Sequence, residues 1–180
     1  MDLLGTKTIE TERLILRKFV IEDAKDMFDN WASDDEVTKF LTWPTHKNIE
    51  TTEFILNDWI NSYHDDDFMN WAIEYKLTHR VIGNISVVRL NKDVQSTDIG
   101  YCMSRSLWGN GIMPEALKAI INYLFECGVN RIAACHDANN PKSGRCMEKA
   151  GMKYEGTLRK AGINNTGVCD EVWYSIIKED

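Results

Sequence analysis

Ser-Thr-Asp-Ile-Gly-Tyr-Cys-Met-Ser-Arg-Ser-Leu-Trp-Gly-Asn-Gly-Ile-Met-Pro-Glu, residues 96–115, reads as a strand, a glycine-hinged loop and the opening of a helix. Ile99, Tyr101 and Met103 alternate with Asp98, Gly100 and Cys102, the period-two pattern of a strand. Gly109 and Gly111 flank Asn110, three residues that tolerate positive φ and let backbone N–H groups turn toward one point. Pro114 suits a first helical residue, where its missing N–H needs no partner. From there Leu117, Ile120, Ile121, Leu124 and Phe125 recur at helical spacing as one apolar face, and Gly128 supplies a left-handed stop. Amides converging at the positive end of a helix dipole form an anion site, and a pyrophosphate is its simplest occupant. A tight connection without a ligand is the other reading of Gly-Asn-Gly taken alone. The phosphate loop of the NTPases, G-x-x-x-x-G-K-[S/T], is absent, and Pro114 stands where a dinucleotide fingerprint has its third glycine.

Outward from this stretch, the chain shows no repeat, low-complexity tract or linker, and its 180 residues suit one domain over 1–180. A net charge of −7 without a basic cluster argues against nucleic-acid binding. No apolar run approaches a membrane span, and the N-terminal Asp2, Lys7, Glu10, Glu12 and Arg13 do not suit a signal peptide. Five cysteines without a C-x-x-C pair suit reduced thiols and a cytoplasmic setting. Four scattered histidines give no zinc spacing, so no metal is expected, and no G-x-S-x-G marks a hydrolase.

The periodicities predict strands at 13–19, 71–77, 81–90, 131–136, 152–157 and 171–177, and helices at 23–31, 49–63 and from Asn140-Pro141 to Gly151. The order is β-α-α-β-β-β-α-β-α-β-β, an α/β (α+β) chain on a mixed sheet. Lys160–Gly167 reads as a turn-rich connection, and the loops Trp43–Asn48 and Arg159–Val168 are expected to border a substrate.

Five segments in this order resemble the GNAT superfamily of acetyl-CoA-dependent N-acetyltransferases, nearest its RimJ/RimL-like branch, which includes ribosomal-protein N-acetyltransferases. They are Thr11-Glu12-Arg13-Leu14-Ile15-Leu16-Arg17; Trp71-Ala72-Ile73-Glu74 with Val81-Ile82-Gly83-Asn84-Ile85; Ile99-Gly100-Tyr101 with Trp108-Gly109-Asn110-Gly111 and Glu115-Ala116-Leu117; Asn140-Pro141-Lys142-Ser143 with Glu148-Lys149-Ala150-Gly151-Met152; and Glu155-Gly156 with Asp170. The chain departs from the superfamily's [R/Q]-x-x-G-x-[G/A] loop, which opens here on Ser106, and from Leu-Gly-Phe, which is Ala150-Gly151-Met152.

The resemblance implies a GNAT fold with a central splayed sheet and acetyl transfer from the CoA thioester to a primary amine, on a protein N-terminus or a small molecule. It implies pantetheine binding along Cys102, Met103 and Ser104, with the Met103 amide donating to the thioester carbonyl oxygen. Trp108, Gly109, Asn110, Gly111, Met113 and Pro114 fall to the pyrophosphate, and Asn140, Ser143 and Lys149 to the rest of the cofactor. Ser143 is also the candidate to hydrogen-bond the leaving sulfur. Glu155 is the candidate general base and Glu74 the second. Tyr101 and Tyr154 could lend hydroxyls, although strand tyrosines more often serve the core. A noncatalytic CoA-binding module, and transfer of a longer acyl group such as succinyl, stay open, as does a homodimer.

Overall fold

The computed structural model describes residues 5–180, so Asp2 lies outside the described residues. Eight strands form one sheet: β1 Ile9–Glu10, β2 Leu14–Arg17, β3 Asn70–Tyr75, β4 Arg80–Asn91, β5 Ser96–Met103, β6 Arg131–Asp137, β7 Lys153–Asn164 and β8 Gly167–Ile177. Their spatial order is β1-β2-β3-β4-β5-β6-β8-β7. Every neighbouring pair is antiparallel except β5 and β6, which the helix α4 (Ile112–Glu126) connects as a crossover.

Strand alternation sends the sheet's two faces into two cores. On one face Ile99 and Met103 of β5 pack with Leu117 and Ile120 of α4 and with Met147 of α5 (Pro141–Lys149). On the other, Cys102 joins Ala72, Val81 and Trp31 with Leu56 of α3 (Ile49–Ser62). Between β2 and α3 the chain forms short turns of helix, α1 (Ala24–Met27) leading into a π turn over Phe28–Ala32, and then α2 (Asp35–Thr38). Asn48 caps α3 by accepting the Thr51 amide at 3.0 Å.

All the elements expected from periodicity are present, with β1 and α2 added. Two expectations change. The helix α4 begins at Ile112, so Pro114 is its third residue; its missing N–H is still one the first turn leaves unpaired. The stretch Lys160–Gly167 is not a loop: β7 runs to Asn164 and β8 starts at Gly167. Its turn-like composition serves a bulge between Leu158 and Gly162, where Lys160 has φ of 52°, and a tight tip with Gly167 at 105°. That tip folds back onto the helical face: the Asn165 side chain donates to the Thr38 and Trp43 carbonyls at 2.9 and 2.8 Å.

Candidate active site

The site is made where β5 and β6 part. Their parallel ladder holds only Ser96, Thr97 and Asp98 against Arg131, Ile132 and Ala133. Beyond it β6 pairs with β8 alone through Asp137, while β5 keeps only β4 as far as Met103. Residues 99–103 of β5 therefore present an edge with no strand partner on the β6 side. Gly83 lets β4 lie close along the other edge, since a Cβ there would stand 2.4 Å from the Cys102 carbonyl oxygen.

Met103 leads into the expected loop. Gly109 and Gly111 have φ of 82° and 73°, left-handed values that glycine adopts at little cost, and Gly111 is the N-cap of α4. The Trp108 indole N–H donates to the Met103 carbonyl at 2.9 Å, which ties the loop to the strand end. A buttress from the start of β2 fixes the far side. Glu115, in the first turn of α4, accepts from the Thr11 hydroxyl (2.6 Å), the Arg13 amide (2.9 Å) and Arg13 Nε (2.6 Å), while Arg13 Nη1 donates to the Asn110 carbonyl (2.9 Å). Burial of Glu115 opposes its charge, but the hydrogen bonds from Thr11 and Arg13 outweigh it and hold the carboxyl below its usual range. Beside the loop a cleft of about 420 Å³ is lined by Gly111 and Pro114, by two carboxylates, Glu12 and the Arg13-paired Glu115, and by two cations, Lys118 and Lys149. Amides, a helix N-terminus and two lysines form a donor set suited to phosphates.

The helix α5 covers the parting on the α4 side. The Tyr101 hydroxyl lies 2.8 Å from Ser143 Oγ and 3.0 Å from the Ser143 carbonyl, so these two residues bridge strand and helix. Burial raises the Tyr101 phenol well above its ordinary value, keeping it protonated as a donor. Asn140 occupies the N-cap position of α5, but its side chain makes no capping bond. Lys142 lies over the Trp108 ring, 5.5 Å from its centroid, linking α5 to the phosphate loop. Cys102 points to the opposite face, where its thiol bonds Asn84 Oδ1 at 2.9 Å, and burial pushes it up to about 12. Met103, Ser104, Met113 and the loop residues all stand at this end of β5.

Neither carboxylate named as a base is brought to the cleft. Glu155 on β7 forms a bidentate pair with Arg131, both contacts 2.6 Å, and accepts from Ser175 Oγ at 2.5 Å. Arg131 and Ser175 hold its carboxyl below the usual range, the wrong direction for a base. Glu74 on β3 is separated from β5 by β4 and accepts from Arg17 Nε at 2.7 Å. Tyr154 is on the edge strand, its hydroxyl 3.1 Å from Thr157. Sequence reasoning undervalued Tyr101, because its alternation with Ile99 is also that of a core residue; nothing local announces Ser143 opposite.

An unpartnered strand edge running into a glycine-hinged helix N-terminus offers main-chain groups to an extended ligand that ends in phosphates. The acetyltransferase (GNAT) domain family matches residues 13–153, and the chain belongs to that family as an acetyl-CoA-dependent N-acetyltransferase. The chain is 32% identical to the uncharacterized N-acetyltransferase YoaA of Bacillus subtilis over 94% of its own length and 96% of the relative's. It is 31% identical over 99 residues to the ribosomal-protein-serine acetyltransferase of Escherichia coli, covering 54% of this chain and 55% of that one. A GNAT-family acetyltransferase structure from Bacillus anthracis superposes with a TM-score of 0.84 at 26% identity, covering 97% of this chain and all of the other.

Proposed function

We propose that this protein transfers the acetyl group of acetyl-CoA to a primary amine by direct attack within a ternary complex, and that the amine is the N-terminus of a protein. The observation that carries the chemistry is the unpartnered edge of β5 ending at the phosphate loop. The acceptor class is supported by the match to a ribosomal-protein-serine acetyltransferase.

The pyrophosphate lies on the amides of Gly109–Met113, with Lys118 and Lys149 facing the remaining phosphate charge. Pantetheine pairs along Cys102–Ser104 in the manner of an added strand, and Asn140, free of a capping bond, supplies a polar contact from α5. An amide at Met103 stabilises the oxyanion as it forms, an effect typically worth about 3–4 kcal/mol. The Tyr101 hydroxyl donates to the Ser143 carbonyl and lies 2.8 Å from Ser143 Oγ, which holds the Ser143 hydroxyl in place to bond the departing sulfur. Alignment of the two reactants supplies much of the remaining rate.

Incubation with acetyl-CoA and a peptide bearing a free N-terminal serine tests the reading, scored by thiol release matched to peptide acetylation. Ser143→Ala is expected to lower kcat roughly tenfold or more with little change in CoA affinity. Tight CoA binding without turnover on peptides or small amines would instead mark a binding module. Faster turnover with succinyl-CoA would replace acetyl as the transferred group.

A further inference from the structure

Trp108 is held on several sides at the end of β5. Its indole N–H donates to the Met103 carbonyl at 2.9 Å, and its own amide donates to the Arg105 carbonyl at 3.2 Å. The Asn110 side chain reaches the Trp108 carbonyl at 3.4 Å, and Lys142 of α5 lies over the ring. The backbone beside it fixes which way Met103 points. The Ser104 amide donates to the Ile82 carbonyl at 2.7 Å, on the β4 side. Strand alternation then turns the Met103 amide and carbonyl, with the Tyr101 carbonyl, toward the edge that no strand covers. The indole takes the Met103 carbonyl, which leaves the Tyr101 carbonyl and the Met103 amide for an incoming chain.

Resting on the acetyl-transfer reading above, we propose that Trp108 is a positioning residue that sets the register of the cofactor arm on β5 by closing the Met103 carbonyl to it. An extended chain added to a strand edge finds equivalent donors and acceptors at every second residue, so backbone pairing alone does not choose between registers. Sliding the arm one such step toward the phosphate loop puts an arm N–H on the Met103 carbonyl. It also moves the thioester about 7 Å along the strand. An N–H arriving there competes with the indole for the same oxygen, and Trp108 is seated against displacement by Lys142, Asn110 and Arg105. The cost of a slip falls on the chemistry. Ser143 is fixed opposite Tyr101, so a thioester two residues away has lost its alignment with that hydroxyl. Binding survives the slip, and reaction does not.

The test uses the full chain. A crystal structure with CoA bound should keep the indole nitrogen within hydrogen-bond distance of the Met103 carbonyl, with the arm on the Tyr101 carbonyl and the Met103 amide. An arm N–H on the Met103 carbonyl, with the indole turned away, would overturn the assignment. In solution, Trp108→Phe keeps a ring under Lys142 and removes the N–H. With acetyl-CoA and the serine peptide, its kcat and its KM for acetyl-CoA should fall together, each roughly fivefold. The ratio kcat/KM should stay within about twofold, because the slipped complex holds cofactor without reacting. A merely structural role would not lower KM. Wild-type kinetics, or a lower kcat with KM unchanged or raised, would therefore also overturn the assignment. An indole bond that persists in the CoA complex of a wild-type protein releasing no thiol would instead overturn the transfer reading and leave the register standing.

Discussion

At the scale of single residues, some positions fit only one side chain, and Gly144 is the clearest. It lies on α5 against β6, where an added Cβ would stand 2.6 Å from His136 Nε2 and 3.3 Å from the Tyr174 hydroxyl. The His136 ring cannot turn away cheaply, because its Nδ1 is 2.7 Å from the Asp137 carbonyl; its buried Nε2 has no partner among the described residues. Glycine to alanine inside a helix ordinarily gains up to about 1 kcal/mol. Here overpacking, typically costing 1–3 kcal/mol, is expected to reverse the sign, so Gly144→Ala should unfold about 1–2 kcal/mol more easily. Urea melts would check this, with His136→Ala restoring part of the loss in the double variant; a more stable single variant would show that the ring yields. Such a constraint is illegible in sequence. Gly144 sits between Ser143 and Arg145 like any helix-weakening glycine, and its reason stands on another strand.

At the scale of elements, reading succeeded where periodicity and turn chemistry are local and failed where an element serves a distant one. Gly109, Gly111 and the apolar face of α4 announced loop and helix together. The β7–β8 hairpin tip did not, because Lys160 and Gly167 look alike whether they end strands or bulge them. The buttress under the phosphate loop belongs to the same class, since Arg13 and Glu115 are remote in sequence yet hold the first turn of α4 to β2. Arg13 also fixes the Asn110 carbonyl, so it sets the orientation of the loop amides. Arg13→Ala is expected to cost about 1–2 kcal/mol, discounted because the guanidinium is 36% exposed. It should also weaken CoA binding several-fold by loosening the amide cradle. Calorimetry of CoA binding beside a urea melt separates the two effects, and stability lost at unchanged affinity would limit the buttress to folding.

At the scale of the whole molecule, carboxylates tie the sheet's far strands together and set how the protein answers acid. Asp137 ends β6 and holds the hairpin tip through Asn164 Nδ2 at 2.7 Å, while the Asn139 amide donates to its other oxygen at 2.8 Å. That tip in turn rests on the Thr38 and Trp43 carbonyls, so one carboxylate joins the parted strand to the helical face. Burial opposes the Asp137 charge, yet the bonds from Asn139 and Asn164 outweigh it and keep the carboxyl below its ordinary value. The same direction holds for Glu115 and Glu155. For a group depressed in the folded state, the stabilisation is complete above the unfolded pKa, about 3.9 for aspartate. It is lost as pH falls through the lower folded value. Asp98 runs the other way, its contribution declining as pH rises through its raised value. Hydrogen bonds to a charged group are typically worth about 1.5–3 kcal/mol, so Asp137→Asn should lower Tm at pH 7 by roughly 3–10 °C. Wild-type and variant Tm should then converge as pH drops below about 4, because protonation removes from the wild type what the substitution removed at every pH. A Tm gap that stays constant from pH 7 to pH 3 would show that Asp137 acts through its shape and not its charge.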